Sequence, residues 1–388
     1  MAATVVNMIG SAALYGFVLI YFHEIRGIPL SQAGLAAGMM SFAMVILTPV
    51  AGFLSDHLGA RRVLTMGCVV SIVSAVAYAF VESFAAAVAV SVLLGVGNAL
   101  WFPAQAALLS LIVTQAERPT VMAWQRAALN LGAAMGGVVG GLLLHDTTVH
   151  AFYWLFAVNA ATYVLFLGVL PFLPHGRVPK EDRAGKGEGF AVVLRDRFFV
   201  RLLVTGLSIA LGFGFLWAVT PAYASTIGID KLTIGILFTV GSAGVALSQL
   251  PTLKWISGGK RMSWLMGMNA WFVGAFLLML VTPHVAAGVA VGFIAAAQVC
   301  GGFGEAILGA VRTPLTSDLA PPELVGRYFG LSTMVFQVCT GLSFTVGGAV
   351  MQRSLSAVWL IPLAGSVLGI AGLYRLRHQI PAHAAVSA

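Results

Sequence analysis

The chain has 388 residues, of which 59% are apolar and only 9% are Asp, Glu, Lys or Arg; its mean hydropathy is +0.96. Soluble proteins carry roughly 25% charged residues, so the composition excludes a soluble enzyme, and it equally excludes disorder, which needs low hydrophobicity and high charge. The net charge of +8 does not point to nucleic acid, because the basic residues sit in short runs between long apolar segments, the pattern that orients a membrane protein.

A helix needs about 20 apolar residues to cross the hydrocarbon core. Turn residues and charges divide the chain into twelve such runs, at 3–22, 32–54, 62–81, 84–113, 120–143, 149–173, 200–222, 232–256, 263–282, 285–312, 325–349 and 355–375. The runs are continuous, whereas barrel strands would alternate polar and apolar. The expected fold is therefore an all-α polytopic membrane protein with twelve transmembrane helices in two pseudo-symmetric six-helix halves. The first run starts almost at Met1 without a basic segment before it, so it reads as a spanning helix and not as a cleaved signal. Residues 1–173 form the first half, 174–199 a cytoplasmic linker with an interfacial segment, and 200–388 the second half. Of the 21 Lys and Arg, three fall in odd-numbered connections (Arg26, Lys231, Arg353), Arg126 lies in span five, and the other 17 lie in even-numbered connections or the tail. That bias places both termini in the cytoplasm.

Along the chain, the first candidate in the central cleft is Tyr15 of span one. The loop after span two reads Gly52-Phe53-Leu54-Ser55-Asp56-His57-Leu58-Gly59-Ala60-Arg61-Arg62. Gly52 allows close helix approach, Asp56 can cap a neighbouring helix start, and the basic pair can bridge to the other half or to lipid phosphate. Asn98 lies at mid-depth in span four, with Trp101 and Gln105 beyond it. In span five, Gly132, Gly136 and Gly140 recur every fourth residue and make a packing face. Arg126 and Asn130, four apart on another face of that span, point to something polar. Trp217, Gln249 and Gln337 are further polar-capable or aromatic residues within spans. Glu305, beside Gly301, Gly302 and Gly304, is the one acid placed in mid-membrane. An ionisable group there costs from about 2.5 kcal/mol upward, so it is a functional candidate by default. A carboxyl at that depth can carry a proton, which makes Glu305 the proton-coupling candidate, with Arg126 able to pair with it or to hold an anion.

The two halves echo each other about 200 residues apart. Gly27 and Gly34 match Gly228 and Gly235; Gly59-Ala60-Arg61-Arg62 matches Gly258-Gly259-Lys260-Arg261; Glu117 matches Glu323; Gly140-Gly141 matches Gly347-Gly348. Two parallel halves around a cleft are a transporter architecture. Cys68, Cys300 and Cys339 lie in apolar runs and read as buried thiols, with no metal or disulfide spacing. No nucleophile elbow, zinc-protease motif or phosphate-binding loop occurs, so neither an enzyme nor an ATP-driven pump is expected.

The loop after span two resembles the signature loop of the major facilitator superfamily, keeping Gly52, Asp56, Gly59 and the basic Arg61 and departing at His57 and Ala60. The glycines of span five partly match the antiporter motif of the same superfamily, with Gly137 at its Pro position. Ser91 stands where many proton-coupled members have an Arg, so that relay does not carry over. The resemblance implies alternating access, with Gly52, Asp56, Gly59 and Arg61 as a cytoplasmic latch between the halves. It implies a bacterial inner-membrane secondary transporter of the multidrug-efflux type, exporting small amphipathic compounds against protons. The expected partners are the bilayer, a small-molecule substrate and protons, without cofactor or nucleic acid, in a monomer. Two alternatives stay open: an importer or facilitator of a small metabolite, anionic or not, and an uncoupled membrane sensor or lipid-handling protein.

Overall fold

The structure is a computed structural model, and it describes residues 1–388 apart from 115–116, 147, 174–191, 322–323 and 388. Most of the expected linker, 174–199, thus lies outside the described residues. Among the described residues, twelve helices are long and apolar enough to span a membrane: α1 Ala2–Ile25, α2 Leu30–Ser55, α3 Ala60–Tyr78, α4 Phe84–Ser110, α5 Thr120–Leu143, α6 Val149–Phe172, α7 Arg197–Thr226, α8 Lys231–Gln249, α9 Arg261–His284, α10 Ala287–Leu319, α11 Val325–Met351 and α12 Ala357–Leu376. Helical backbone continues to Leu58 after α2 and to Ile256 after α8. A helix is the local solution for such runs because it satisfies every backbone polar group internally.

Short polar side chains start several of these helices. Ser83, Thr148, Asp196 and Asp230 each accept a hydrogen bond from a backbone N–H three residues on, as an N-cap should. The glycine echo in the sequence has a backbone cause. Four glycines among the described residues have positive φ, namely Gly27 (66°), Gly59 (90°), Gly228 (84°) and Gly258 (73°). They are the two pairs related by the repeat, and each holds a left-handed turn between consecutive helices that a side chain would strain.

The other repeated glycines join the halves. In α2, Gly34 lies against the Phe344 carbonyl and Gly348 of α11, and Gly38 lies against the Gly341 carbonyl. In α5, Gly137 meets Gly235 of α8, and Gly141 meets the Lys231–Leu232 backbone. A Cβ on Gly34 would stand 3.0 Å from the Gly348 Cα, so these crossings admit hydrogen only. Gly132, Gly136 and Gly140 turn the other way and seat α5 on Val5, Met8, Ile9 and Ala13 of α1.

Both half-to-half crossings lie near the end of the molecule opposite the chain termini. The same end carries an ion pair between the halves, Lys231 Nζ to Glu24 Oε2 at 2.7 Å, with Ser225 Oγ bonded to both. There the Ser31 N–H also donates to Gln352 Oε1 (2.9 Å). One face of the bundle is thereby closed, and the space between the halves extends toward the termini.

Candidate functional site

A cavity of about 290 Å³ occupies the seam between the halves. Its apolar wall comes from Phe102 of α4, Phe213 and Trp217 of α7, Phe238 of α8, Phe272 of α9 and Phe336 of α11. Tyr15 and Trp217 face each other across the seam with ring centroids 6.0 Å apart, and Trp217 continues to Phe238 at 5.8 Å. Such tilted aromatic pairs present flat apolar faces to a ligand at low entropic cost.

The polar groups of the wall are few and held in place. Asn98 Nδ2 donates to the Tyr15 hydroxyl (2.7 Å), and the Tyr163 hydroxyl donates to Asn98 Oδ1 (3.4 Å). Ser11 Oγ donates to Tyr163 in turn (3.3 Å). Asn98 is 2% exposed, so its amide is fixed by partners on α1 and α6 rather than by solvent. Across the seam Gln337 Nε2 donates to Met44 Sδ at 3.0 Å. Asn130 also lines this cavity.

A second cavity of about 250 Å³ adjoins the first on the side of the termini. Glu305, Phe213 and Phe336 line both, so the two form one path with Glu305 at the junction. The second part holds more of the charged and hydroxyl groups: Arg126, Arg312, Thr316, Ser332 and Thr333 line it beside apolar side chains. Arg126 belongs to the first half, yet its guanidinium lies against Gly309 of α10, with Nη2 3.7 Å from where a Cβ would stand. Gly309 is four residues past Glu305 and three before Arg312. The structure thus brings Glu305, Arg126 and Arg312 onto one stretch of α10.

Arg312 departs from the sequence expectation. That expectation ends span ten at 312, whereas α10 runs to Leu319. The reason is local. A π-turn at Leu308–Arg312 delivers the chain into Thr313-Pro314, with the proline at the start of the next helical stretch. There the proline's missing N–H leaves no broken bond. The available signal was the seven-residue spacing from Glu305 to Arg312, which puts both on one helix face. Glu24 carries no motif of its own in the sequence. It stands three residues before Gly27, as Ser225 stands three before Gly228, so the repeat itself juxtaposes them.

Two expectations are corrected, and one contact is not made in this state. Trp101 is not on the cleft: it is 2% exposed and packs on Phe102 and Phe166 within the first half. The cavity side of α4 passes through Asn98 and Phe102, four residues apart, and Trp101 turns toward α3 and α6. Gly52 does not mediate a close helix contact, for nothing lies within 4 Å of a Cβ placed there. Arg61 does not reach the other half; its Nη1 donates to the Leu173 carbonyl of its own half (2.9 Å). The halves meet at the far end of the bundle, and among the described residues Gly52 and Arg61 make no contact across the seam. Gly59 forms the turn described above, and the Asp56 side chain lies outside the described residues.

Comparison with known proteins follows the same architecture. The chain matches the sequence model of the Major Facilitator Superfamily over residues 1–226 and again over 202–387. It is 24% identical over 332 residues to the MFS-type transporter YttB of Bacillus subtilis, covering 84% of this chain and 80% of that protein. It is 24% identical over 378 residues to the multidrug resistance protein MdtH of Aeromonas salmonicida, covering 95% and 90%. Among solved structures, a point mutant of the nucleoside transporter NupG superposes with a TM-score of 0.78 at 12% identity, covering 97% of this chain and 98% of that one.

Proposed function

The chain belongs to the Major Facilitator Superfamily, and from that premise we propose that it moves small amphipathic organic compounds across a bacterial inner membrane by alternating access, as a monomer coupled to protons. The observation that carries this reading is the position of Glu305 at the junction of an aromatic cavity and a basic one. An amphipathic compound suits the aromatic wall, and a carboxyl on its path can exchange a proton as the cavity changes sides.

The basic residues orient the protein with both termini in the cytoplasm. The end closed by Glu24 and Lys231 is then periplasmic, and the cavity faces the cytoplasm. Asp56 and Arg61 act as the latch of the opposite state, in which the cytoplasmic end closes. Export is supported by the name of the MdtH relative and by the glycine pattern of α5. A second reading, uptake of an acid-bearing metabolite, is supported by Arg126 and Arg312 on the same path.

Reconstituted vesicles with an imposed pH gradient test the proposal, with ethidium and 1-naphthaleneacetate as cationic and anionic probes. Protein-dependent accumulation of one probe, abolished by a protonophore, is expected. Movement indifferent to the gradient would remove the coupling, and no movement of either would favour a sensor or lipid-handling role.

A further inference from the structure

We propose that the part of the cavity between Arg126 and Arg312 is a binding site for the acid group, a carboxylate or sulfonate, of an amphipathic organic anion. The inference rests on the transporter reading, in its form of uptake of an acid-bearing compound, and names the substrate class. Among the described residues, three charged side chains line this path, and they do not balance: two guanidiniums face one carboxylate. Neither guanidinium has an ion-pair partner within 4.0 Å among the described residues. Arg312 is half-buried, where charges are ordinarily paired, and with the exposed Arg126 it presents an excess of positive charge that suits an anion.

The two guanidiniums are seated. Arg126 rests against Gly309, and Arg312 rests against Gly206 of α7, where a Cβ would stand 2.7 Å from its guanidinium carbon. Hydroxyls line the same wall. Ser332 Oγ is buried with no hydrogen-bond partner among the described residues, whereas the Thr316 hydroxyl gives its proton to the Arg312 carbonyl (2.8 Å). Planar forks with an unspent hydroxyl donor on the same wall match the oxygens of a carboxylate or sulfonate. Phe213 and Phe336, 5.2 Å apart, line both cavities and lead from this site to the Trp217 wall, where the apolar body lies.

Glu305 and a bound acid, both anionic on the same path, repel one another. A proton on Glu305 and an acid on the arginines therefore favour one another, and an acid substrate travels with the proton rather than against it. An ammonium substrate would instead use Glu305 and exchange with the proton.

The test measures binding of 1-naphthaleneacetate, its amide and 1-naphthalenemethylammonium to the purified protein, and their movement in vesicles. The acid should bind at least ten-fold tighter than the amide. Arg312→Gln and, as a variant on an exposed residue that spares folding, Arg126→Gln should each remove most of that preference, while Arg312→Lys keeps part of it. Glu305→Gln should tighten the acid several-fold and leave the amide unchanged. Equal binding of acid and amide, preference for the ammonium, or a preference untouched by both arginine variants would overturn the acid site. If the amide or ammonium is still carried across vesicles, the transporter reading stands; binding and movement of none of the three would overturn both.

Discussion

Lys231 Nζ lies 2.7 Å from Glu24 Oε2, and this pair fastens the second half of the chain to the first at the closed end of the bundle. Lys231 is 8% exposed and Glu24 29%, so the pair is partly shielded from water. A hydrogen bond to a charged group contributes about 1.5–3 kcal/mol. Lys231→Met should therefore shift the balance between the two cavity orientations by roughly ten-fold or more toward the state open at this end. Accessibility of a cysteine placed at Leu30, which is 5% exposed at this end, to a membrane-impermeant thiol reagent, in a chain otherwise free of cysteine, reports the shift. Unchanged labelling would mean that the glycine crossings alone hold this end shut.

Those crossings make their own prediction. Gly34 and Gly348, like Gly137 and Gly235, meet backbone to backbone. A leucine at Gly34 or at Gly235 cannot fit without separating helices that belong to different halves, at a cost of about 1–3 kcal/mol. Each substitution should lower transport several-fold and increase labelling at the closed end. Leucine at Gly267, where nothing lies within 4 Å of a Cβ, should leave both measurements as they are.

Asp230 caps α8 by accepting from the Thr233 N–H (2.9 Å) and the Thr233 hydroxyl (2.6 Å). These bonds hold its carboxyl below the usual carboxylate range. A depressed folded value means the stabilisation is full above the unfolded value and is lost as pH falls through the folded one. The group is almost fully exposed to solvent, so the effect is small. Asp230→Asn keeps the cap and removes the titration, and its thermal midpoint should depend less on pH below the unfolded value than that of the native chain. Asp230→Ala should cost about 0.5–2 kcal/mol at neutral pH. An equal acid dependence in the native chain and Asp230→Asn would show that the cap charge contributes nothing.

Much of this architecture is legible in the sequence because it depends on local rules. The twelve spans follow from the length of apolar runs. The echo of Gly27 with Gly228 and of Gly59 with Gly258 reflects a backbone conformation that only glycine adopts without strain, so the repeat survives where the side chains have drifted. What is harder to read depends on exceptions to regular helix geometry or on distant partners. Arg312 looks like a span end because Thr313-Pro314 looks like a stop, and only the π-turn keeps the helix going. Trp101 looks like a cleft aromatic because apolar periodicity does not separate a face turned to α3 and α6 from one turned to the seam. Gly52 and Arg61 carry a signature whose contacts across the seam require the other conformation. Asn98 was legible as a polar residue at mid-depth, but its partners Tyr15 and Tyr163 sit 83 and 65 residues away, beyond any local pattern.

In the proposed mechanism Glu305 carries the proton that drives transport. Vesicles containing the Glu305→Gln variant test it most directly, with substrate accumulation under a pH gradient compared with substrate exchange at equal pH on both sides. Exchange should persist, since the cavity and both closures remain, while gradient-driven accumulation should fall to the level reached without a gradient. Accumulation by Glu305→Gln equal to that of the native chain would contradict the account.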